Sequence, residues 1–248
     1  MSAFSSVDSS PEPSRLIAYL EQVGLTAMRH YMAVTHALRE SRAPVLDIGY
    51  GVGRDLAALT EAGVAAVGVD LSAVMLEAAT GRGGAPLVRA TGDRLPFADR
   101  VFSGCLIQRV LMHVANPDAV VAEAVRCVQN NGLLTIFEPD WSTLSVNGSP
   151  VPTGWISVAR HPSIGEAVGE LLTAAGCVIR DRVEERSWWT FSDFERITNL
   201  EPSLNRAVAA GVATRSEIDG WLAEHHRRAA NNDFRAEMAK ILWVATTP

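Results

Sequence analysis

The amino-acid sequence predicts an α/β fold built on a doubly wound, mostly parallel sheet, and three observations carry that expectation. Short apolar runs alternate with helical stretches through the middle of the chain, glycines stand just past the helices, and a cluster of glycines follows the first apolar run. A strand feeding a helix feeding another strand specifies parallel βαβ units, whose crossovers place helices on the faces of the sheet.

Taken in order, the runs Val45–Ile48, Val64–Val69, Leu87–Ala90, Gly104–Gln108 and Leu133–Phe137 read as strands. Asp55–Glu61, Ser72–Thr80 and Pro117–Val128 read as the helices between them, with Gly63, Gly81 and Gly132 just beyond, where a left-handed residue is wanted. A helix over Ser163–Ala175 and a strand over Val178–Trp188 continue the pattern. Helical sequence follows from Ser192, with a Thr214/Glu217 capping box, before a last strand over Lys240–Thr246. That makes seven candidate strands. Ahead of them, Leu16, Leu20, Val23, Met28, Tyr31 and Met32 recur at helical spacing. Residues 14–248 therefore read as one domain: a helical cap over 14–42, a core over 44–138, a Pro-, Gly- and Ser-rich lid segment over 139–162, and the remainder of the sheet with C-terminal helices over 163–248. Residues 1–13, rich in Ser and Pro, read as a flexible tail.

Composition narrows the function. The chain has 248 residues, 48% apolar and 20% charged, with a formal charge of −6. That balance argues against a nucleic-acid partner, which would need a basic face. No apolar run reaches the length of a membrane span and the N-terminus is not a secretion signal, so a soluble cytoplasmic protein is expected. Cys105, Cys127 and Cys177 are far apart and lie in apolar surroundings, as buried packing residues do. No Cys-x-x-Cys pair and no His/Asp/Glu set has metal-ligand spacing, so no metal is expected. The sequence leaves the oligomeric state open.

The chemistry concentrates at strand ends. Val45-Leu46-Asp47-Ile48-Gly49-Tyr50-Gly51-Val52-Gly53-Arg54 puts three glycines at alternate positions before a helix, so the backbone can turn sharply and approach a ligand closely. The spacing is G-x-G-x-G, whereas a dinucleotide fingerprint wants G-x-G-x-x-G. Asp47 would repel a pyrophosphate and suits a cofactor with a cationic amino group. The second strand ends at Asp70, which suits the two hydroxyls of an adenosine ribose or, equally, a cap for the next helix.

These segments resemble the class I S-adenosylmethionine-dependent methyltransferases, particularly the small-molecule branch that includes quinone-biosynthesis methyltransferases. The resemblance covers about a hundred residues: V-L-D-I-G-Y-G-V-G-R-D, then G-V-D-L-S with Met75, L-P-F-A-D at 95–99, R-V-L-M-H-V at 109–114 and E-P-D-W at 138–141. It implies a Rossmann-like seven-stranded sheet that binds S-adenosylmethionine and releases S-adenosylhomocysteine. Gly49, Gly51 and Gly53 line the methionine end, with Asp47 and Arg54 in the same set. Asp70 holds the ribose, and Leu71 or Met75 lies on the adenine. Gln108 offers its carbonyl to the ammonium, and Arg109 meets the carboxylate or forms a structural ion pair.

Two positions depart from the family's pattern. Thr91 stands where an acidic residue usually reads the adenine amino group, with Asp93 the nearest carboxylate, so either the loop is shifted or Thr91, Gly92 and Asp93 share that edge. Tyr50 replaces a small residue, and either reaches the ligand or packs on the N-terminal helix. His113 faces the transferable methyl and is the first candidate base, with Tyr50 and His161 beside it and Asp140 a further alternative to a turn cap. The resemblance implies methyl transfer to O, N or C of a small organic acceptor, and the Ala/Val/Arg-rich texture fits a high-GC bacterial source and hence specialised metabolism. Two alternatives stay open: a same-fold enzyme of cyclisation or rearrangement, and a non-catalytic binding or scaffold protein.

Overall fold

The computed structural model of the protein describes residues 43–82 and 84–248, together with Asp8, Ser14 and Ile17. Ser14 and Ile17 are helical; the rest of the expected cap over 14–42, including Tyr31, lies outside the described residues, as does most of the expected tail. The strands are β1 (Val45–Ile48), β2 (Ala66–Asp70), β3 (Leu87–Arg89), β4 (Phe102–Gln108), β5 (Val128–Val146), β6 (Ser149–Pro150), β7 (Val178–Trp189) and β8 (Ala236–Thr246). The helices described are α1 (Arg54–Glu61), α2 (Ala73–Ala79), α3 (Pro117–Cys127), α4 (Ile164–Ala174), α5 (Phe191–Thr198), α6 (Leu200–Ala209) and α7 (Arg215–Ala230).

The sheet runs β3-β2-β1-β4-β5-β8-β7, with β6 a short partner of β5. Strands β1 to β5 pair in parallel, and β8 joins antiparallel between β5 and β7. All four residues of β1 are buried, as a central parallel strand covered on both faces requires. From β1 the chain steps outward to β3, then crosses back to place β4 on the other side of β1. That reversal opens a crevice beyond the carboxyl ends of β1 and β4, where doubly wound sheets take their ligands.

Local chemistry explains most boundaries. Ser72 caps α2 by accepting from the Met75 amide at 3.1 Å, and Pro117 starts α3. The Thr214/Glu217 capping box forms at the start of α7. Gly63 and Gly81, at φ 77° and 86°, end α1 and α2 in the left-handed region as expected. Gly132 does not end α3. The helix stops at Cys127, and the left-handed residue is Asn131 at φ 59°. A Cβ on Gly132 would sit 2.7 Å from the Gln129 carbonyl oxygen and 2.9 Å from that of Ser103, so close approach is what demands glycine there.

The segment after β5 also departs from expectation. Instead of an irregular connection over 139–162, β5 runs on to Val146 along β8, pairing Pro139 with Lys240 and Val146 with Ala236. Asn147 and Gly148 then turn it back into β6, both with positive φ, as a two-residue hairpin requires. This long strand, with 151–156 and the helices α5 to α7 inserted between β7 and β8, builds a second apolar core around Leu144, Trp155, Phe194, Leu204, Ile218 and Met238. Trp141 packs against both cores. Trp243 is buried and donates its indole N–H to the Gly165 carbonyl at 2.8 Å, whereas Trp188 is exposed with the Arg235 guanidinium over its ring. The three cysteines are buried and unbridged. No helix among the described residues is long and apolar enough to cross a membrane.

Candidate active site

At the switch point lies a cavity of about 450 Å³ whose wall is made by the ends of β1, β2 and β4 and the turns that follow them. Two of those turns set its shape. The turn after β1 carries Gly49, Gly51 and Gly53 at φ 75°, 52° and 79°, a run of left-handed backbone that side chains rarely adopt. A Cβ on Gly49 would fall 2.2 Å from Val110 Cγ2, so the β1 and β4 turns close against each other only through glycine.

Carboxylates from neighbouring strands hold both turns. Asp70 Oδ2 accepts from the Gly51 amide at 3.0 Å, and its Oδ1 accepts from the Ser72 amide at 2.9 Å. Glu138, at the crossing of β5 behind the site, is fully buried, and its Oε1 accepts from the Val110 and Leu111 amides, each at 2.7 Å. Burial raises the pKa of both carboxyls, pushing that of Glu138 up to about 8 against the pull of those amides. The β4 turn itself is strained: Arg109 has φ 56° and donates its amide to the Phe137 carbonyl at 2.8 Å.

Most of the residues expected from sequence meet on this wall. Gly49, Tyr50, Gly51, Arg54, Asp70, Leu71, Met75, Thr91, Gly92, Asp93, Gln108, Arg109 and His113 all line the cavity. Leu71 presents an apolar side chain that is 58% exposed, next to buried Met75. Gly92 lets the wall approach closely, since a Cβ there would lie 3.0 Å from Ile48 Cγ2. His113 is held largely neutral, its ionisation lowered to about 4 by burial and then by the Arg109 charge. Tyr50 is 4% exposed, lies against Gly68 and Leu56, and its buried hydroxyl has no hydrogen-bond partner among the described residues. Burial first, then Asp70 and Asp47, raises its phenol strongly.

Three expected site residues do not reach the wall. Asp47 is buried beneath the glycine turn at 1% exposure, and burial reinforced by Asp55 and Asp70 favours its neutral form. Gly53 caps α1 and faces α2, where a Cβ would lie 2.9 Å from Ala79 Cβ. His161 is no candidate base in this arrangement: its Nε2 lies 3.0 Å from the Val114 carbonyl oxygen and its amide bonds the Met112 carbonyl, pinning the 160–161 segment onto the β4 turn. Asp140 likewise serves as a cap. It accepts from the amides of Ser142 and Glu166 at 3.1 and 3.0 Å. Trp155 belongs to the second core.

Sequence reasoning missed three contributors. Asp55, in the first turn of α1, lines the cavity and feels the charges of Arg109 and Arg54. Arg160 also lines the cavity, its amide donating to the Met112 carbonyl at 2.8 Å. Glu138 opens the E-P-D-W motif, but its task of holding the β4 turn depends on a contact across 27 and 28 residues.

Residues 46–136 match the model of a methyltransferase domain. An uncharacterised 37.1 kDa protein in transposon TN4556 of Streptomyces fradiae is 30% identical over 94% of this chain and 72% of its own length. A demethylmenaquinone methyltransferase of Corynebacterium kroppenstedtii is 37% identical over 38% of this chain and 41% of its own. Among solved structures, a candidate methyltransferase from Bacillus halodurans superposes with a TM-score of 0.63 at 16% identity, covering 87% of this chain and 98% of that one, a likeness of fold. On the sequence matches, and on the glycine-turn cavity at the switch point, the chain belongs to the class I S-adenosylmethionine-dependent methyltransferases.

Proposed function

We propose that the chain methylates O, N or C of a small organic molecule, with the cofactor's adenosine held by Asp70, Leu71, Met75 and Thr91–Asp93 and its methionine end along Gly49–Gly51, Gln108 and Arg109. The observation that carries this reading is the polarity of the cavity. Asp70 and an exposed apolar side chain stand together at one end, the glycine turn comes next, and a histidine held neutral lines the wall of the β4 turn. Gly49 and Gly51 take left-handed backbone that side chains rarely adopt, so the turn after β1 presents main chain to a ligand.

Bound S-adenosylmethionine supplies a methyl group on a positively charged sulfur. The chain's own share of the work is to orient the two reactants in line and to exclude water. His113 receives the acceptor's proton, its imidazole being uncharged throughout the neutral range.

Titration calorimetry with S-adenosylmethionine, S-adenosylhomocysteine and NAD tests the cofactor assignment. Micromolar binding of both sulfur compounds with NAD silent is expected; silence toward both sulfur compounds would sink it. Acceptor screening by mass then separates a gain of one methyl from an isomerised product. For the acceptor identified, His113→Asn is expected to slow turnover roughly 100-fold, as loss of a general base does. Unchanged turnover would remove His113 from the chemistry.

A further inference from the structure

We propose that Asp8 is a positioning residue for the adenosine end of the cofactor cavity, an inference that rests on the cofactor reading above. Asp8 lies 62 residues before Asp70, in a segment whose composition suggests only a tail, yet its carboxylate closes on the turn after β2. Oδ1 accepts from the Ser72 hydroxyl at 2.5 Å and from the Val74 amide at 3.3 Å; Oδ2 accepts from the Ala73 amide and from Arg89 Nη2, each at 3.1 Å. Arg89 in turn donates from Nε to the Leu71 carbonyl at 2.9 Å.

The residues tied together this way are the ones that face the ligand. Asp70, Leu71 and Ser72 line the cavity, and Ser72 also donates its amide to Asp70. Asp8 therefore fixes the turn that aims the ribose carboxylate and holds Leu71 out as an apolar platform. Ile17 adds a second contact from the same part of the chain, packing against Val52 and Met75, which also line the cavity. The hydrogen bonds to Ser72, Ala73 and Val74 hold the Asp8 carboxyl below its usual range. Because Asp8 and Arg89 are 38% and 57% exposed, their pairing adds little to fold stability. The β2 and α2 elements stay anchored by buried Val69, Met75 and Ala79. The clasp acts instead on how narrowly the turn is held, which a ligand reads as affinity.

The test is titration calorimetry of the full chain with S-adenosylhomocysteine and with methylthioadenosine, which lacks the amino-acid end. Asp8→Ala is expected to weaken both ligands by about 3- to 10-fold, the size of one lost hydrogen bond, with the melting temperature held. Asp8→Asn should recover part of the loss, and Arg89→Gln should weaken both ligands while adding less in the double variant than alone. Wild-type affinity in Asp8→Ala overturns the proposal, as does a fall in melting temperature with affinity unchanged. A wild-type chain that binds neither ligand overturns the cofactor reading instead, and this inference with it.

Discussion

The turn after β1 and the turn after β4 face each other across one cavity, and each hangs from a carboxylate on the adjacent strand. Asp70 grips Gly51, and Glu138 grips Val110 and Leu111. The two acids differ in access. Asp70 is partly exposed and lines the cavity, so its oxygens can also serve a ligand; Glu138 is at 0% exposure and has no route to one. The same device opens onto the cavity in one place, where we propose that it binds the ligand, and is a brace in the other. Burial decides which, because a carboxylate sealed from solvent and ligand can only satisfy the backbone around it.

The largest expected effect breaks the brace. Glu138→Ala strands two backbone amides in the interior, so it should cost about 3 kcal/mol of stability in urea unfolding. A loss under about 1 kcal/mol would mean that the β4 turn stands without it. Asp70→Ala should do the converse. Its amide partners are nearer to water, so stability changes little, while affinity for S-adenosylhomocysteine falls by about 2 kcal/mol, roughly 30-fold, in titration calorimetry. Equal affinity would show that Asp70 is only a second brace.

The smallest effect sharpens the contrast through pH. Glu138 has its folded ionisation raised from 4.5 to about 8, so the folded state binds the extra proton. Its contribution is fully present below 4.5 and is lost as pH rises through about 8. Glu138→Gln cannot titrate, so the stability of the wild type relative to this variant should decline between pH 5 and pH 9 in parallel urea series. A flat difference would show that Glu138 ionises normally inside the fold.

How the fold and the site could be read from sequence follows from where the information sits. The βαβ rhythm, the left-handed Gly63 and Gly81 and the Thr214/Glu217 box are local, so a few neighbouring residues specify them. The glycine turn is local for the same reason: G-x-G-x-G describes a backbone path whatever surrounds it. The reading failed where a local signal was outweighed. Asn147-Gly148 signals a hairpin, but the Pro, Gly and Ser around it suggested a loose lid. Pairing with β8, about ninety residues later in the chain, carries β5 through that stretch.

Side chains at strand ends show the division most sharply. Residue order and the βαβ rhythm were enough to put Asp47, Asp70 and His113 at or just beyond the ends of strands. What surrounds each of these side chains, and the acids and histidines near them, came from the packing of distant strands. Asp70 and His113 open onto the cavity, Asp47 is buried beneath it, Glu138 and Asp140 satisfy amides, and His161 is taken up by the Val114 carbonyl. The role of a polar group depends on which donors, acceptors and voids lie within about 3 Å of it. In a doubly wound sheet those neighbours come from strands far apart in the chain, and no local pattern of residues encodes that distance.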